Sequence, residues 1–249
     1  MSNYKLVINK KFKIFEDFLC NIKEFFNANS NTIHKARNEI KVLEYKNKDL
    51  VVKSFKVPNL LNKIVYTFFK KSKASKSYEY ALKIGNFTPQ PIGYIEFFKS
   101  SLIDESFFVS EKFDYDCTIR EPLLDANYPD KIEIFKAFAR FTYSLHENNI
   151  YHLDYSPGNI LLKKENDEFI FKIVDINRMK FFDMPLDLRL KNFSKLWAKD
   201  EDLEIIIKEY AKILNNDEQE LISKALKFSH KHKAKINLKK RLRGAKVVD

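Results

Sequence analysis

The stretch Tyr151–Leu162, YHLDYSPGNILL, breaks an apolar run with His152, Asp154, a Pro157-Gly158 turn and Asn159, then resumes at once as a strand. The spacing H-x-D-x-x-x-x-N suits a loop in which an aspartate receives the proton of a substrate hydroxyl and an asparagine ligates magnesium. Pro157-Gly158 bends the chain so that carboxylate and amide can converge on one phosphate group. Asp175 closes the apolar run FIFKIV, where the same chemistry needs a carboxylate for a metal bridging nucleotide phosphates. Lys53 shares a strand face with Val51, Phe55 and Val57, and a lysine on an apolar face needs a partner. Glu79, on the helix that follows, is the candidate, and the pair would hold an ammonium against α- and β-phosphates. Each feature alone also has a plain structural reading: a polar turn capping a helix, a strand-end aspartate, a snorkelling lysine beside a solvated glutamate.

The elements that must position these residues follow from periodicity. A helix is expected over Lys11–Asn27, with Phe15, Phe18, Leu19, Ile22, Phe25 and Phe26 at three- and four-residue spacing. Strands are expected near Ile40–Tyr45 and Leu50–Val57, joined by the polar turn KNKD, then a helix over Ser75–Ile84 closed by Gly85. PIGYIEFF and SFFVSEKF read as a hairpin. Asp130 with Glu133 predicts a capping box opening a helix whose Ile134, Phe138, Phe141 and Leu145 share one face until Asn148-Asn149. Strands Ile160–Lys163 and Phe169–Val174 flank a polar turn, and the pattern is helical from about Asp187. A sheet-rich lobe is followed by a helical lobe.

Composition bounds the function. A chain of 249 residues, 45% hydrophobic and 14% aromatic, can bury a large core as one domain or two packed lobes. With 4 Gly and 7 Pro and no Gly/Ser- or Pro-rich stretch, any lobe boundary is a short connection, and no internal repeat is visible. No secretory leader or apolar run of membrane-spanning length is evident, so a cytosolic protein is expected. Cys20 and Cys117 form no paired motif, and the five histidines make no zinc signature, so neither a disulfide scaffold nor a zinc site is expected. The formal net charge of +11 is concentrated at the end: Lys224–Asp249 holds ten Lys/Arg and one acid, leaving 35 basic and 33 acidic residues elsewhere. The last part of that segment, KHKAKINLKKRLRGAKVVD, lacks aromatics for base stacking. Its electrostatics suit an anionic surface or a phosphate backbone, and its plain reading is a solvated, partly helical tail.

With Lys53, Glu79, His152-x-Asp154, Asn159 and Asp175 in this order, the chain resembles the protein-kinase-like superfamily. HLDYSPGNIL, VDINRM, VVKSF, KKSKASKSYEYA and TPQPIGYIE are similar to the lipopolysaccharide kinases, specifically the Kdo kinase-like group of Bacteroides-type bacteria, over roughly residues 30–215. The resemblance implies an α+β, bilobal protein-kinase-like fold. Its divisions would be a small sheet-rich N-lobe (1–113), a helical C-lobe (114–223) and a basic tail (224–249). It implies Asp154 as base or proton acceptor, His152 as the scaffold of its loop, Asn159 and Asp175 as magnesium ligands, and Lys53 with Glu79 as the phosphate-positioning pair. ATP and Mg2+ would be the cofactors. The acceptor would be a sugar hydroxyl of Kdo-lipid A, reached at the cytoplasmic side of the inner membrane through peripheral contact; nucleic acid is not an expected partner.

The chain departs from the kinase pattern in three places. No G-x-G-x-x-G occurs; the corresponding strand turn reads HKARNEIK, so backbone amides and Arg37 would cover the phosphates. Asn177 stands where Asp-Phe-Gly has glycine, and asparagine tolerates the left-handed backbone that turn requires. No Ala-Pro-Glu follows Asp175, which argues for a small or lipid-linked acceptor over a protein. Two alternatives remain open: a small atypical protein kinase or antibiotic kinase, and a catalytically inactive pseudokinase scaffold.

Overall fold

The structure is a computed structural model describing residues 3–30, 32–35 and 38–244. It divides into two compact units, Met1–Asp114 and Tyr115–Asp249.

The first unit is built on six antiparallel strands: β1 (Tyr4–Ile8), β2 (Thr32–Lys35), β3 (Glu39–Tyr45), β4 (Lys48–Phe55), β5 (Pro91–Lys99) and β6 (Leu102–Glu111). Their order across the sheet is β1-β5-β6-β4-β3-β2. Lys46-Asn47 joins β3 to β4 with φ of 51° and 59°, and Ser100-Ser101 joins β5 to β6 with φ of 50° and 63°. Two left-handed residues in a two-residue loop match the twist of the flanking strands, so both expected hairpins close tightly. Edge strand β1 was not foreseen; it is a five-residue segment whose partner lies far along the chain, with Ile8 opposite Gly93.

The expected helix over Lys11–Asn27 is instead three short pieces: a 3-10 turn at Lys10–Phe15, α1 (Glu16–Cys20) and α2 (Ile22–Ala28). At the second break the Asn21 side chain donates to the Asp17 carbonyl at 3.0 Å, the local competition that disfavours asparagine inside helices. The stripe nevertheless packs: Phe15, Phe18, Leu19, Ile22 and Phe26 are buried against Leu50, Val52, Ile95 and Val109 on one face of the sheet. Phe25 is 37% exposed and lies against Phe18 and Tyr45. Buried Lys41 of β3 donates to the carbonyls of Phe26 and Asn29, each at 2.7 Å, satisfying acceptors left at the end of α2.

The other face carries the short helix α3 (Leu60–Ile64) and α4 (Lys73–Ile84). Helix α4 starts at Ser72, whose hydroxyl accepts from the Ser75 amide at 3.0 Å, and ends at Gly85, with φ of 56°. Its Ala74 and Tyr78 pack with Phe55 and Tyr94.

The second unit contains β7 (Cys117–Thr118), α5 (Arg120–Leu124), α6 (Lys131–Glu147), β8 (Ile150–His152), β9 (Ile160–Glu165), β10 (Glu168–Ile173) and β11 (Met179–Phe181), then α7 (Leu186–Phe193), α8 (Asp200–Leu214) and α9 (Glu218–Arg241). Helix α6 covers the expected range, but its capping box is absent. Asp130 adopts φ of 56° and makes no side-chain cap; its carboxylate takes Lys164 instead, while Glu133 takes Lys136. A left-handed Asp130 is not in the extended conformation that a side-chain cap requires. Helix α9 runs through Lys224, where the basic tail was expected to begin, and buries Leu221, Ala225 and Ser229 at four-residue intervals while packing on α7 and α8. This sheet-rich unit followed by a helical unit is the expected protein-kinase-like α+β arrangement.

At Gly93 β5 lies hard against β1: a Cβ there would lie 2.6 Å from the Val7 carbonyl oxygen and 3.2 Å from the Ile8 Cα. Both are backbone atoms, so neither can swing aside. Gly93→Ala should destabilise the first unit by about 1–3 kcal/mol in urea unfolding, and an unchanged midpoint would contradict this packing.

Candidate active site

His152 ends β8, opposite Met179 of β11, and is 1% exposed. Its Nδ1 accepts the Asp154 amide N–H at 3.0 Å, and its Nε2 faces the Val174 carbonyl oxygen, also at 3.0 Å. Since a carbonyl can only accept, Nε2 carries the proton and the ring is neutral. Burial lowers its pKa, partly opposed by the Val174 bond and the charges of Asp154 and Asp175, which keeps it so.

This ring ties the Asp154 loop to the strand leading into Asp175. Asn159 adds a second tie: its Nδ2 donates to the Asp154 carbonyl at 2.9 Å, and its own carbonyl accepts the Val174 amide at 2.9 Å. Asp154, Asn159 and Asp175 are thus drawn together within the second unit. The left-handed residue of the following turn is Asp175 itself, with φ of 56°; Asn177, expected to take that role, instead donates from Nδ2 to Asp175 Oδ1 at 2.6 Å. Aspartate, like asparagine, tolerates this region, so the sharp turn forms two residues earlier than the glycine comparison suggests.

Four residues that sequence reasoning missed complete the site. His146, at the end of α6, accepts from the Tyr210 hydroxyl through Nδ1 at 2.8 Å and meets Asn192 Oδ1 through Nε2 at 3.3 Å. Asn192 then donates to the His152 carbonyl at 3.1 Å. Burial pushes the His146 pKa down to about 4, so this ring too is neutral. The Arg178 guanidinium pairs with Asp154 Oδ2. His146 follows the apolar face of α6 and Arg178 stands in VDINRM, yet their partners are too distant in sequence for spacing to reveal them.

Lys195 adds positive charge near Asp154. Burial lowers the pKa of Lys195, with Lys191 and Lys235 adding to the effect and Asp154 opposing it. The same three lysines act on His232, whose pKa burial also lowers. Lys191 and Lys195 are four residues apart and so share a face, and α9, which carries His232 and Lys235, packs on that segment.

Lys53 and Glu79 belong to the first unit. Lys53 is half-buried, opposite Ile40 and Phe108, with its ammonium 5.4 Å from the Phe55 ring centroid. Its face is less apolar than expected: Val57 lies beyond the strand end and is 40% exposed, whereas Leu50 and Val52 of the opposite face are fully buried. Glu79 accepts from Lys71 at 2.6 Å and from the Ser75 hydroxyl at 3.3 Å. Arg37 lies outside the described residues.

Among the described residues no cluster of three or more His, Cys, Asp or Glu could hold a metal. The pair Asn159 and Asp175 nevertheless fits Mg2+, which is commonly bound by one or two carboxylates together with substrate phosphates and water. Asn159 uses its Nδ2 to hold the loop, so its amide oxygen would be the atom to ligate the metal.

No protein-family profile matches the chain, and no curated protein matches its sequence. A solved structure described as WaaP in complex with acyl carrier protein is similar in fold: the TM-score is 0.58 at 16% identity, over 92% of this chain and 99% of that one. This likeness supports the protein-kinase-like fold.

The buried histidines predict an acid sensitivity. His146 titrates near its ordinary 6.5 when unfolded and at about 4 when folded, so its contribution is complete above 6.5 and is lost as pH falls from there towards 4. Between pH 7.5 and pH 5 this amounts to roughly 2 kcal/mol. Urea unfolding at the two pH values should show that loss in the wild type and a smaller one in His146→Gln; equal losses would refute a neutral buried His146.

Proposed function

We propose that the chain is an ATP-dependent kinase acting on a sugar hydroxyl of the lipopolysaccharide inner core, with Kdo-lipid A the acceptor indicated by the sequence resemblance. The observation that carries this reading is the convergence of Asp154, Asn159 and Asp175, held by neutral His152. Asp154 receives the proton of the acceptor hydroxyl. Asn159 and Asp175 would hold Mg2+, which would neutralise charge on the nucleotide phosphates. Lys53 would position the α- and β-phosphates; Glu79, the partner that the resemblance implies for it, is held in this structure by Lys71 and Ser75. Phosphoryl transfer asks little covalent chemistry of the protein, so fixed geometry and positive charge supply most of the rate.

The charge around Asp154 favours an anionic acceptor. Arg178 and Lys195 act directly on Asp154, and Lys191 and Lys235 lie near Lys195. A phosphate- or carboxylate-bearing glycolipid matches this charge, and a neutral sugar does not. The basic face of α9 would add a weaker, salt-screened attraction to an anionic membrane surface. No helix among the described residues is long and apolar enough to cross a membrane.

One observation favours a second reading. The Arg178–Asp154 ion pair occupies the carboxylate that must accept a proton, as an inactive pseudokinase scaffold could allow. Mg·ATP at a hundred times its dissociation constant should stabilise a competent kinase by about 2.7 kcal/mol. A chain whose melting temperature ignores Mg·ATP is a scaffold.

The test is transfer of the γ-phosphate from labelled ATP to purified Kdo-lipid A. The wild type should label the glycolipid, and Asp154→Ala should reduce the rate by roughly 100- to 10,000-fold. Label in proteins of an extract, with none in the glycolipid, would make the chain a protein kinase.

A further inference from the structure

The segment between β4 and α4 exposes an apolar face that nothing in phosphate transfer requires. Leu60 and Leu61 of α3 are 66% and 76% exposed, Ile64 is 38%, and Phe68 and Phe69 in the single π-type turn that follows are 66% and 78%. Leu60, Leu61, Ile64 and Phe68 fall at spacings of one helical face. Scattered exposed apolar residues are ordinary, but five within ten positions form a patch.

The patch is held in place from its inner side. Asn59 caps α3, accepting from the Asn62 amide at 3.0 Å. Thr67 donates to the Lys63 carbonyl at 2.7 Å and accepts the Ile103 amide of β6 at 3.0 Å, while Lys63 pairs with Asp104. These bonds dock the polar side of the segment on the sheet and turn its apolar side outward. A wide π-type turn inside a helix is an unfavourable geometry that recurs at functional sites.

Charge decides what covers it. From Lys56 to Lys73 the sequence reads KVPNLLNKIVYTFFKKSK, with five lysines and no acid. Lys56, Lys70, Lys71 and Lys73 are exposed at the two ends of the apolar face. A second copy of the chain related by a two-fold axis would bring this lysine-rich surface against itself, which like charge opposes. Short amphipathic segments with leucine and phenylalanine on one face and lysines around it lie instead at the boundary between acyl chains and anionic headgroups.

We propose that residues 57–69 form a membrane-docking element that inserts its leucines and phenylalanines into the interface of an anionic bilayer, with the flanking lysines on the headgroups. It differs from the α9 surface in kind, because it contributes buried apolar area in addition to charge. It also stands apart from the kinase reading, since docking is measured without nucleotide or acceptor.

The experiment is co-flotation of the full chain with vesicles of phosphatidylcholine alone or mixed equally with phosphatidylglycerol. The wild type should float with the mixed vesicles. Combined Leu61→Ser, Phe68→Ser and Phe69→Ser should lower the partition coefficient about tenfold or more. Because the three positions are exposed, the variant's circular dichroism and melting temperature should match the wild type; Leu61→Gln alone is the milder check, with a smaller loss in the same direction. Lys231→Gln, Lys235→Gln and Lys239→Gln on α9 should leave most of the binding. Absence of wild-type flotation would overturn the proposal, as would equal flotation of the triple serine variant or complete loss in the α9 variant. A wild-type dimer that the serine variant dissolves, with no vesicle binding, would make the patch a protein interface and overturn it as well.

Discussion

The arrangement of the second unit depends on one uncharged imidazole. His152 has no solvent contact, so its charged form is excluded, and its two nitrogens then have fixed and opposite roles. Nδ1 takes the Asp154 amide and Nε2 gives its proton to the Val174 carbonyl. A single planar ring therefore sets the distance between the residue that would accept a proton and the strand end that presents Asp175. Asn159 repeats the connection through its side-chain amide and its backbone carbonyl, so the loop is held twice. Behind it, Tyr210, His146 and Asn192 extend the same logic: each donor has one acceptor, and the chain ends on the carbonyl of His152.

Around this rigid centre lies positive charge that is far less constrained. Arg178 reaches Asp154 from an exposed position, and an exposed pair of this kind contributes at most about 1 kcal/mol. It can be displaced at little cost. Lys191, Lys195 and Lys235 repel one another, and a cluster of like charges on packed elements is relieved when an anion binds among them. A fixed loop beside a less constrained group of cations would suit the proposed phosphate transfer to an acidic acceptor.

Much of this was legible in the sequence because it rests on local rules. The two hairpins follow from polar turns between strand-like runs, and the end of α4 from Gly85, whereas its start at Ser72 lies three residues before the expected one. His152, Asp154, Asn159 and Asp175 announce themselves by spacing, because a loop followed by a hairpin brings them together over a short stretch of chain. What remained hidden depends on partners distant in sequence. Strand β1 exists only because β5 offers it an edge, and Arg178 and Asn192 matter only through atoms 24 and 40 residues away. The broken N-terminal helix and the unformed Asp130 cap show the opposite failure: a correct apolar pattern or cap signature was overruled by one asparagine side chain and one left-handed backbone.

The central claim is that Asn159 and Asp175 hold a divalent cation together with nucleotide phosphates. It is tested most directly by electron paramagnetic resonance of Mn2+ titrated into the protein with and without ADP. The account predicts Mn2+ binding that strengthens when ADP is present and is lost in Asp175→Asn. Mn2+ binding that is indifferent to ADP, or equal in the wild type and the variant, would contradict it.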